Sequence, residues 1–261
     1  IAAIVATFAL VWFNRDSGFT FGLSNDDFVQ AMSLVLLMAA IGFRSLGGGN
    51  LSETARNLQL ARRDRVVFRS LLGISWMWFF GAAFLSNFPA FAKEVLHGNE
   101  QVASLLLVVF SVGIGIGSLL CETLSRRHVE IGLVPLGAIG MTVFAVDLYF
   151  AARGLPPSGL QGLGAFVGAA HHWRVMADLF LLSLFVGLFS VPMYALIQTR
   201  CQPTHRARII AANNILNALF MIASSLIVGA LLSAGFTIPQ VFGLIALANT
   251  IVAGYIFLSI I

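Results

Sequence analysis

The chain is a succession of long apolar runs separated by short polar segments. A helix that crosses the hydrocarbon core of a bilayer needs about 20 predominantly apolar residues. On that length we predict eight membrane-spanning helices, the first truncated and the second beginning a few residues early, near Leu23. They cover residues 1–13, 28–43, 70–92, 102–121, 131–152, 179–197, 209–234 and 238–261. The runs are continuous rather than alternating, which favours helices over a β-barrel.

Composition supports the membrane interpretation and excludes most other classes. Hydrophobic residues make up 59% of the chain and charged residues 10%, against about 25% charged residues in a typical soluble domain. A water-soluble fold has no way to bury so much apolar surface. The net charge of +4 does not indicate a nucleic-acid partner, because no basic face with interleaved aromatic residues can be traced. We therefore predict an all-α integral membrane protein.

The basic residues predict how the bundle is oriented. Eleven of the 15 Lys and Arg residues fall in the segments 44–69, 126–127 and 200–208, which eight crossings place on one side of the membrane. Cytoplasmic loops are enriched in Lys and Arg. We therefore expect a multi-pass protein of the inner (plasma) membrane with these segments and the C-terminus in the cytoplasm.

The positions of the loops suggest a division of the chain. It opens at Ile1 and ends at Ile261, each inside an apolar run, so we expect a piece of a longer polypeptide. The arginine-rich segment 44–69 reads as a linker that continues into a surface helix. We predict three parts: residues 1–43 as the last two helices of one half, 44–69 as a cytoplasmic inter-half linker, and 70–261 as a six-helix half. The segment 153–178 is expected to be an external loop.

Polar residues inside the apolar runs are the candidate substrate contacts. Buried amides and hydroxyls in hydrocarbon are costly unless they find partners, so they either bridge helices or line a wet cavity. Asn213, Asn217 and Ser224 share one face of the seventh predicted span. We interpret the set as a cavity lining, with bridging and lipid-facing roles as the alternatives. The predicted lining comprises Ser75, Trp76, Phe79, Ser86, Asn87, Gln198, Asn213, Asn217 and Ser224.

Charged residues at the ends of the spans suggest further functions. Arg206 and Arg208 suit a phosphate at the cytoplasmic mouth, although simple topological anchoring explains them equally well. Asp147 is an acid inside an apolar run, and such acids are functional candidates by default. Proton coupling is one interpretation, and solvation or pairing with an arginine is the other. The sequence suggests no catalytic arrangement, no metal-ligand spacing and no cofactor site.

The segment between the fourth and fifth predicted spans carries a loop motif. The string SLLCETLSRR at residues 118–127 resembles the G-x-L-x-D-R-x-G-R-R motif of the major facilitator superfamily, with Ser118 and Ser125 in place of the glycines and Thr123 in place of the first basic residue. Glu122, Arg126 and Arg127 keep the spacing of a conformational latch; topological anchoring is the alternative. Just before it, Gly113 and Gly117 form a small-xxx-small face that predicts close helix packing.

Several strings taken together identify a narrower resemblance. They are ISWMWF at 74–79, NFP at 87–89, GIGIGSLLC at 113–121, VEIGLVPLG at 129–137 and the stretch 191–217. They look like the lysophospholipid transporter branch of the bacterial major facilitator superfamily, most of all the forms fused to a glycerolipid acyltransferase. The resemblance covers most of 70–234, while 1–69 matches by topology alone.

The resemblance implies a fold and a function. It implies a twelve-helix bundle, of which this chain would hold about eight helices, and a secondary transporter that moves lysophospholipid across the inner membrane by alternating access. A fused or separate acyltransferase would then reacylate the lipid, and the chain itself would not be an enzyme. Two alternatives stay open: a membrane anchor for a cytoplasmic acyltransferase, and a generic exporter of the superfamily.

Overall fold

The computed structural model describes residues 51–125, 132–153, 155 and 159–260. Over those residues the chain is helical and forms no strand, apart from an isolated bridge between Gly98 and Gln161. The helices are α1 (Leu51–Arg62), α2 (Arg65–Ala90, followed by a π-turn, Phe91–Val95), α3 (Glu100–Leu124), α4 (Leu133–Arg153), α5 (Leu163–Gly168), α6 (Ala170–Arg200), α7 (Arg206–Ser233) and α8 (Ile238–Ile260). The two spans predicted before residue 44 lie outside this range.

Six of these helices are long and apolar enough to cross a membrane, namely α2, α3, α4, α6, α7 and α8. They correspond to the last six predicted spans, so the chain has the character of a multi-pass membrane protein. The predicted division into two halves and a linker stays a prediction. α1 lies within the predicted linker, and α2 begins at Arg65 rather than at residue 70. Asp64 caps α2, because its Oδ1 accepts hydrogen bonds from the amides of Val66 (2.8 Å) and Val67 (3.3 Å).

The predicted external loop 153–178 is largely helical, which corrects the sequence interpretation. α6 begins at Ala170, and α5 precedes it as a short helix. Phe166 of α5 is fully buried, and the ring of His172 stacks on it at 3.9 Å while its Nδ1 lies 3.0 Å from the Phe166 carbonyl. The first turns of α6 carry polar residues, which lower the local hydropathy and conceal the start of the helix. His172 therefore packs α5 against α6.

α6 packs against α3 through glycines, as the small-xxx-small spacing predicts. A β-carbon added at Gly117 would overlap the carbonyl oxygen of Leu184, and one added at Gly113 would lie 2.6 Å from the carbonyl oxygen of Phe180. Gly187 of α6 faces back toward α3, where an added β-carbon would lie 2.6 Å from the Ile114 carbonyl. The two backbones are therefore in direct contact. We call this α3–α6 contact the glycine interface.

The far end of α2 contains a proline and a π-turn and is rich in aromatic side chains. Pro89 lies inside the helix, and the π-turn follows directly. A proline removes a backbone donor and clashes with the preceding turn, so the regular hydrogen-bond ladder cannot continue through it. Phe84 stacks on Phe242 of α8 at 4.2 Å, and Phe91 of the π-turn packs against the same ring at 5.3 Å. This aromatic cluster joins α2 to α8.

Candidate functional site

Two buried hydrogen bonds join α2 to α7. The Oγ of Ser75 and the side-chain amide of Asn217 lie 2.9 Å apart, and both side chains are buried. One turn further along α2, Ser224 donates to the carbonyl oxygen of Phe79 over 2.8 Å. For Asn217 and Ser224 the geometry favours the bridging role over the wet-cavity role that we preferred from the sequence. We call this α2–α7 contact the polar interface.

The orientation of the Asn217 amide determines the rest of the network. With its nitrogen toward α2, it donates to Ser75 Oγ (2.9 Å) and to the Asn213 carbonyl (3.1 Å), and its oxygen accepts from Asn213 Nδ2 (3.1 Å) and Trp78 Nε1 (3.2 Å). Amide orientation is assigned from such partners, and this one satisfies both ends of the amide. Trp78 Nε1 also lies 3.2 Å from the hydroxyl of Tyr194 on α6. The polar interface therefore reaches a third helix.

Asn213 carries an acceptor that the rest of the network does not use. Its side chain is 4% exposed, and its Oδ1 receives no hydrogen bond from the described residues. Asn213 also lines a cavity of about 210 Å³ between α6 and α7, together with Tyr194, Ile197, Gln198, Ile210 and Asn214. A buried acceptor without a donor costs free energy, so a ligand that donates a hydrogen bond here would be stabilised. The structure thus places two of the predicted lining residues, Asn213 and Gln198, beside one cavity.

The predicted mouth residues lie at the start of α7, next to this cavity. The Nη2 of Arg206 donates to the Gln198 carbonyl over 3.0 Å, which satisfies one of the last carbonyls of α6. Arg208 is exposed. Cys201, in the turn between α6 and α7, is buried, and its pKa is raised by burial and then by the nearby charge of Asp64. Because Asp64 precedes α2, the start of α2 and the end of α6 lie at the same end of the bundle.

Trp76 takes part in a third contact between helices, through Asn249, which we did not predict from the sequence. Its Nε1 donates to Asn249 Oδ1 over 2.8 Å, and Asn249 Nδ2 donates to the Ala138 carbonyl (2.9 Å) and to Thr142 Oγ1 (3.0 Å). Asn249 is 1% exposed and links α2, α4 and α8. An asparagine inside the apolar run 238–261 is the signal that could have identified it.

Trp76 also borders a second cavity, which is mainly apolar. This cavity measures about 180 Å³ and is lined by Arg69, Leu72, Gly73, Trp76, Phe220, Val252 and Tyr255. The ring of Trp76 stacks on the buried Phe79 at 4.9 Å, with the planes 9° apart. Because Phe220 and Asn213 are both on α7, the apolar and the polar cavity share one helix.

Ser86 and Asn87 lie further along α2 and bond within their own helix. The Nδ2 of Asn87 donates to the Ala83 carbonyl over 2.7 Å, and Ser86 Oγ donates to the same carbonyl over 3.4 Å. Neither residue lines the two cavities described above. Their place in a substrate path stays a prediction, and the structure does not bring them together with Asn213.

Asp147 is paired with an arginine, which was the alternative to proton coupling. Arg174 of α6 binds its carboxylate through Nε (3.3 Å) and Nη2 (2.5 Å), and the two side chains are 39% and 57% exposed, Asp147 first. Exposed ion pairs contribute little to stability. From the sequence we expected Asp178 at the end of a loop, but it lies inside α6, where it is 4% exposed.

Glu122 lies exposed in the last turn of α3, at the end of the glycine interface. Arg126 and Arg127, its expected companions in the latch, lie outside the described residues. The latch therefore stays a prediction. Over the part of the chain that the structure describes, no group of His, Cys, Asp and Glu side chains has the arrangement of a metal site. Comparison with family models, curated proteins and solved structures finds no match to this chain.

Proposed function

We propose that this chain is part of a secondary transporter of the inner membrane that moves lysophospholipid between leaflets by alternating access. The resemblance of residues 70–234 to lysophospholipid transporters of the major facilitator superfamily motivates the substrate. The observation that carries the proposal is the unpartnered, buried Oδ1 of Asn213 beside the α6–α7 cavity. The C-terminus is cytoplasmic in this proposal, and an acyltransferase, fused or separate, consumes the product.

The chemistry of a lysophospholipid fits the two cavities. Such a lipid has lost one acyl chain, so a free glycerol hydroxyl stands where the ester was. That hydroxyl donates a hydrogen bond, which the Asn213 Oδ1 needs, whereas a diacyl lipid has no donor at this position. The polar cavity of about 210 Å³ is below the usual volume of a site for a whole drug-sized ligand, so it takes only part of a head group. The single tail then follows the apolar cavity of Trp76 and Phe220, and the phosphate lies toward Arg208.

The proposal is tested with the full-length protein in proteoliposomes. Movement of lysophospholipid between leaflets is measured for wild type, for Asn213→Ala and for the matched control Ser225→Ala. Ser225 is exposed on α7 and bonds to its own helix. We expect Asn213→Ala to slow movement roughly tenfold, the equivalent of about 1.4 kcal/mol, and Ser225→Ala to match wild type.

Two results would count against the proposal in different ways. If the wild-type protein moves no lysophospholipid, the proposed substrate is wrong. If it moves diacyl lipid equally well, the free hydroxyl has no role in recognition. If wild type and Asn213→Ala are equally active, the proposed substrate stands, but its path does not pass Asn213.

A further inference from the structure

The end of the bundle away from Arg206 holds a group of three charged residues on α4 and α6. Arg174 and Asp178 are one turn apart on α6, and Asp147 lies opposite them on α4. Arg174 is bound to Asp147 by the two hydrogen bonds described above. With both acids ionised, the group carries a net charge of −1.

Asp178 is the member of this group whose burial is unusual for an acidic side chain. Its side chain is 4% exposed, and its Oδ2 is fully enclosed and receives no hydrogen bond from any described residue. An ionised carboxylate accepts hydrogen bonds only and is costly to bury without donors. The immediate surroundings of Asp178 therefore disfavour its charged form.

Asp178 has a second carboxyl group, that of Asp147, as its neighbour. The carboxyl groups of Asp147 and Asp178 lie within hydrogen-bonding reach of each other. Two carboxylates cannot hydrogen-bond, because neither has a donor, whereas a carboxylic acid and a carboxylate can share one proton. Of the described residues, Asp147 and Arg174 are the charged groups that act on Asp178.

We propose that Asp147 and Asp178 form a proton-binding site that holds one exchangeable proton between their carboxyl groups. Binding of the proton from water takes the three-residue group from a net charge of −1 to 0, and release returns it to −1. Arg174 holds Asp147 in place in both states. The partial exposure of Asp147 gives the proton a path to water, while the burial of Asp178 favours the protonated pair. Any coupling of this site to lipid movement rests on the function proposed above.

Infrared difference spectroscopy of the purified full-length protein tests the site without any transport. The carbonyl stretch of a protonated carboxylic acid is resolved from that of a carboxylate. We expect wild type to show a protonated-acid band at neutral pH that shifts in D₂O and disappears at alkaline pH. Asp178→Asn should lose the band. Asp147→Asn, at a half-exposed position that tolerates substitution more readily, should alter it.

Glu100 provides a matched control for the two aspartate variants. Glu100→Gln changes an exposed acid in the first turn of α3 and should leave the band intact. The proposal is overturned if the wild-type band is absent, if it survives in both aspartate variants, or if it does not respond to pH. The two aspartate variants are also compared by thermal unfolding, so that a misfolded sample is not scored as a loss of the site.

A second measurement asks whether the proton is coupled to the proposed transport. In proteoliposomes, an imposed pH gradient should change the rate of lysophospholipid movement in wild type and in Glu100→Gln, and Asp178→Asn should lose this dependence. A gradient response that persists in Asp178→Asn rejects the coupling. If wild type moves no lysophospholipid at all, the proposed function fails while the infrared result still decides the proton site.

Discussion

The glycine interface and the polar interface join helices in opposite ways. At the glycine interface, α3 and α6 touch backbone to backbone at Gly117 and Gly187, and at Gly113 the Phe180 carbonyl and the Ser183 side chain both lie against the glycine. At the polar interface, α2 and α7 are held by side-chain hydrogen bonds, and α7 borders two cavities. Each interface pairs a largely buried helix with a less buried one: 61% of the most apolar stretch of α6 and 56% of that of α2 are buried, against 28% for α3 and 22% for α7.

The difference shows how a bundle without a hydrophobic driving force combines tight and loose contacts. Lipid tails are as apolar as leucine side chains, so helices associate in a bilayer through close packing and through hydrogen bonds. Close packing is lost abruptly when a single atom is added. Hydrogen bonds tolerate small displacements and can exchange partners. The polar interface is therefore the contact in which a ligand can replace a protein partner, and the glycine interface is the frame that supports it.

The largest expected effect is at the glycine interface. Gly117→Ala places a β-carbon on the Leu184 carbonyl oxygen, and because this atom belongs to the backbone, the helices must separate. Overpacking of this kind typically costs about 1 to 3 kcal/mol. We expect a clear drop in the free energy of unfolding, measured by SDS titration of the protein in mixed micelles.

Gly115 provides the matched control for that substitution. It lies on the same helix, two residues away, and an added β-carbon meets no atom within 4 Å. Gly115→Ala should be neutral or slightly stabilising, because alanine has the higher helix propensity. Similar unfolding of Gly117→Ala and wild type would mean that α3 and α6 do not make the backbone contact.

A smaller effect is expected where Asn249 joins three helices. Asn249→Ala leaves the Nε1 of Trp76 without its acceptor and removes the bonds to Ala138 and Thr142. A cost of about 1 to 2 kcal/mol in the same unfolding assay is expected. Thr250→Ala is the control, since Thr250 is exposed and its hydroxyl bonds to its own helix over 3.1 Å. If the two variants unfold alike, Asn249 does not hold these helices together.

The smallest expected effect is the coupling between Ser75 and Asn217. A double-mutant cycle with Ser75→Ala and Asn217→Ala isolates the energy of their interaction. Hydrogen bonds between membrane helices average about 0.6 kcal/mol in such cycles, and we expect a coupling of that size. A coupling near zero would show that the polar interface depends on Trp78 and Asn213 instead.

Sequence patterns that extend along a whole helix predicted the fold. The hydrogen bonds between helices could not be predicted from these patterns. The six described spans were predicted because apolar runs near 20 residues are constrained by bilayer thickness, and the glycine interface was predicted because Gly113 and Gly117 repeat on one face. The start of α6 was missed, since its polar first turns resemble a loop. Asp178 was misplaced for the same reason, because a helix boundary determines whether an acid counts as buried.

The candidate site shows a similar limit. The sequence indicated that Asn213, Asn217 and Ser224 share a stripe, but it could not say which of them would find partners on α2. Two do, and the Oδ1 of Asn213 receives no hydrogen bond from the residues that the structure describes. Asn249 escaped notice because a single amide in an apolar run carries no spacing pattern. Its importance comes from Ala138 and Trp76, which lie more than 100 residues earlier in the chain.

The two carbonyl groups of α6 that lie against glycines of α3 also restrict how these two helices can move. The carbonyl of Phe180 lies over Gly113 and that of Leu184 over Gly117, with the two sites one helical turn apart. Sliding α3 by a turn in one direction would bring Val109 under the first carbonyl, and sliding in the other would bring Cys121 under the second. Either displacement sets a β-carbon against a backbone oxygen, so the contact favours a single register of α3 against α6. A displacement of one whole turn between these helices is thereby disfavoured, and we expect α3 and α6 to move together.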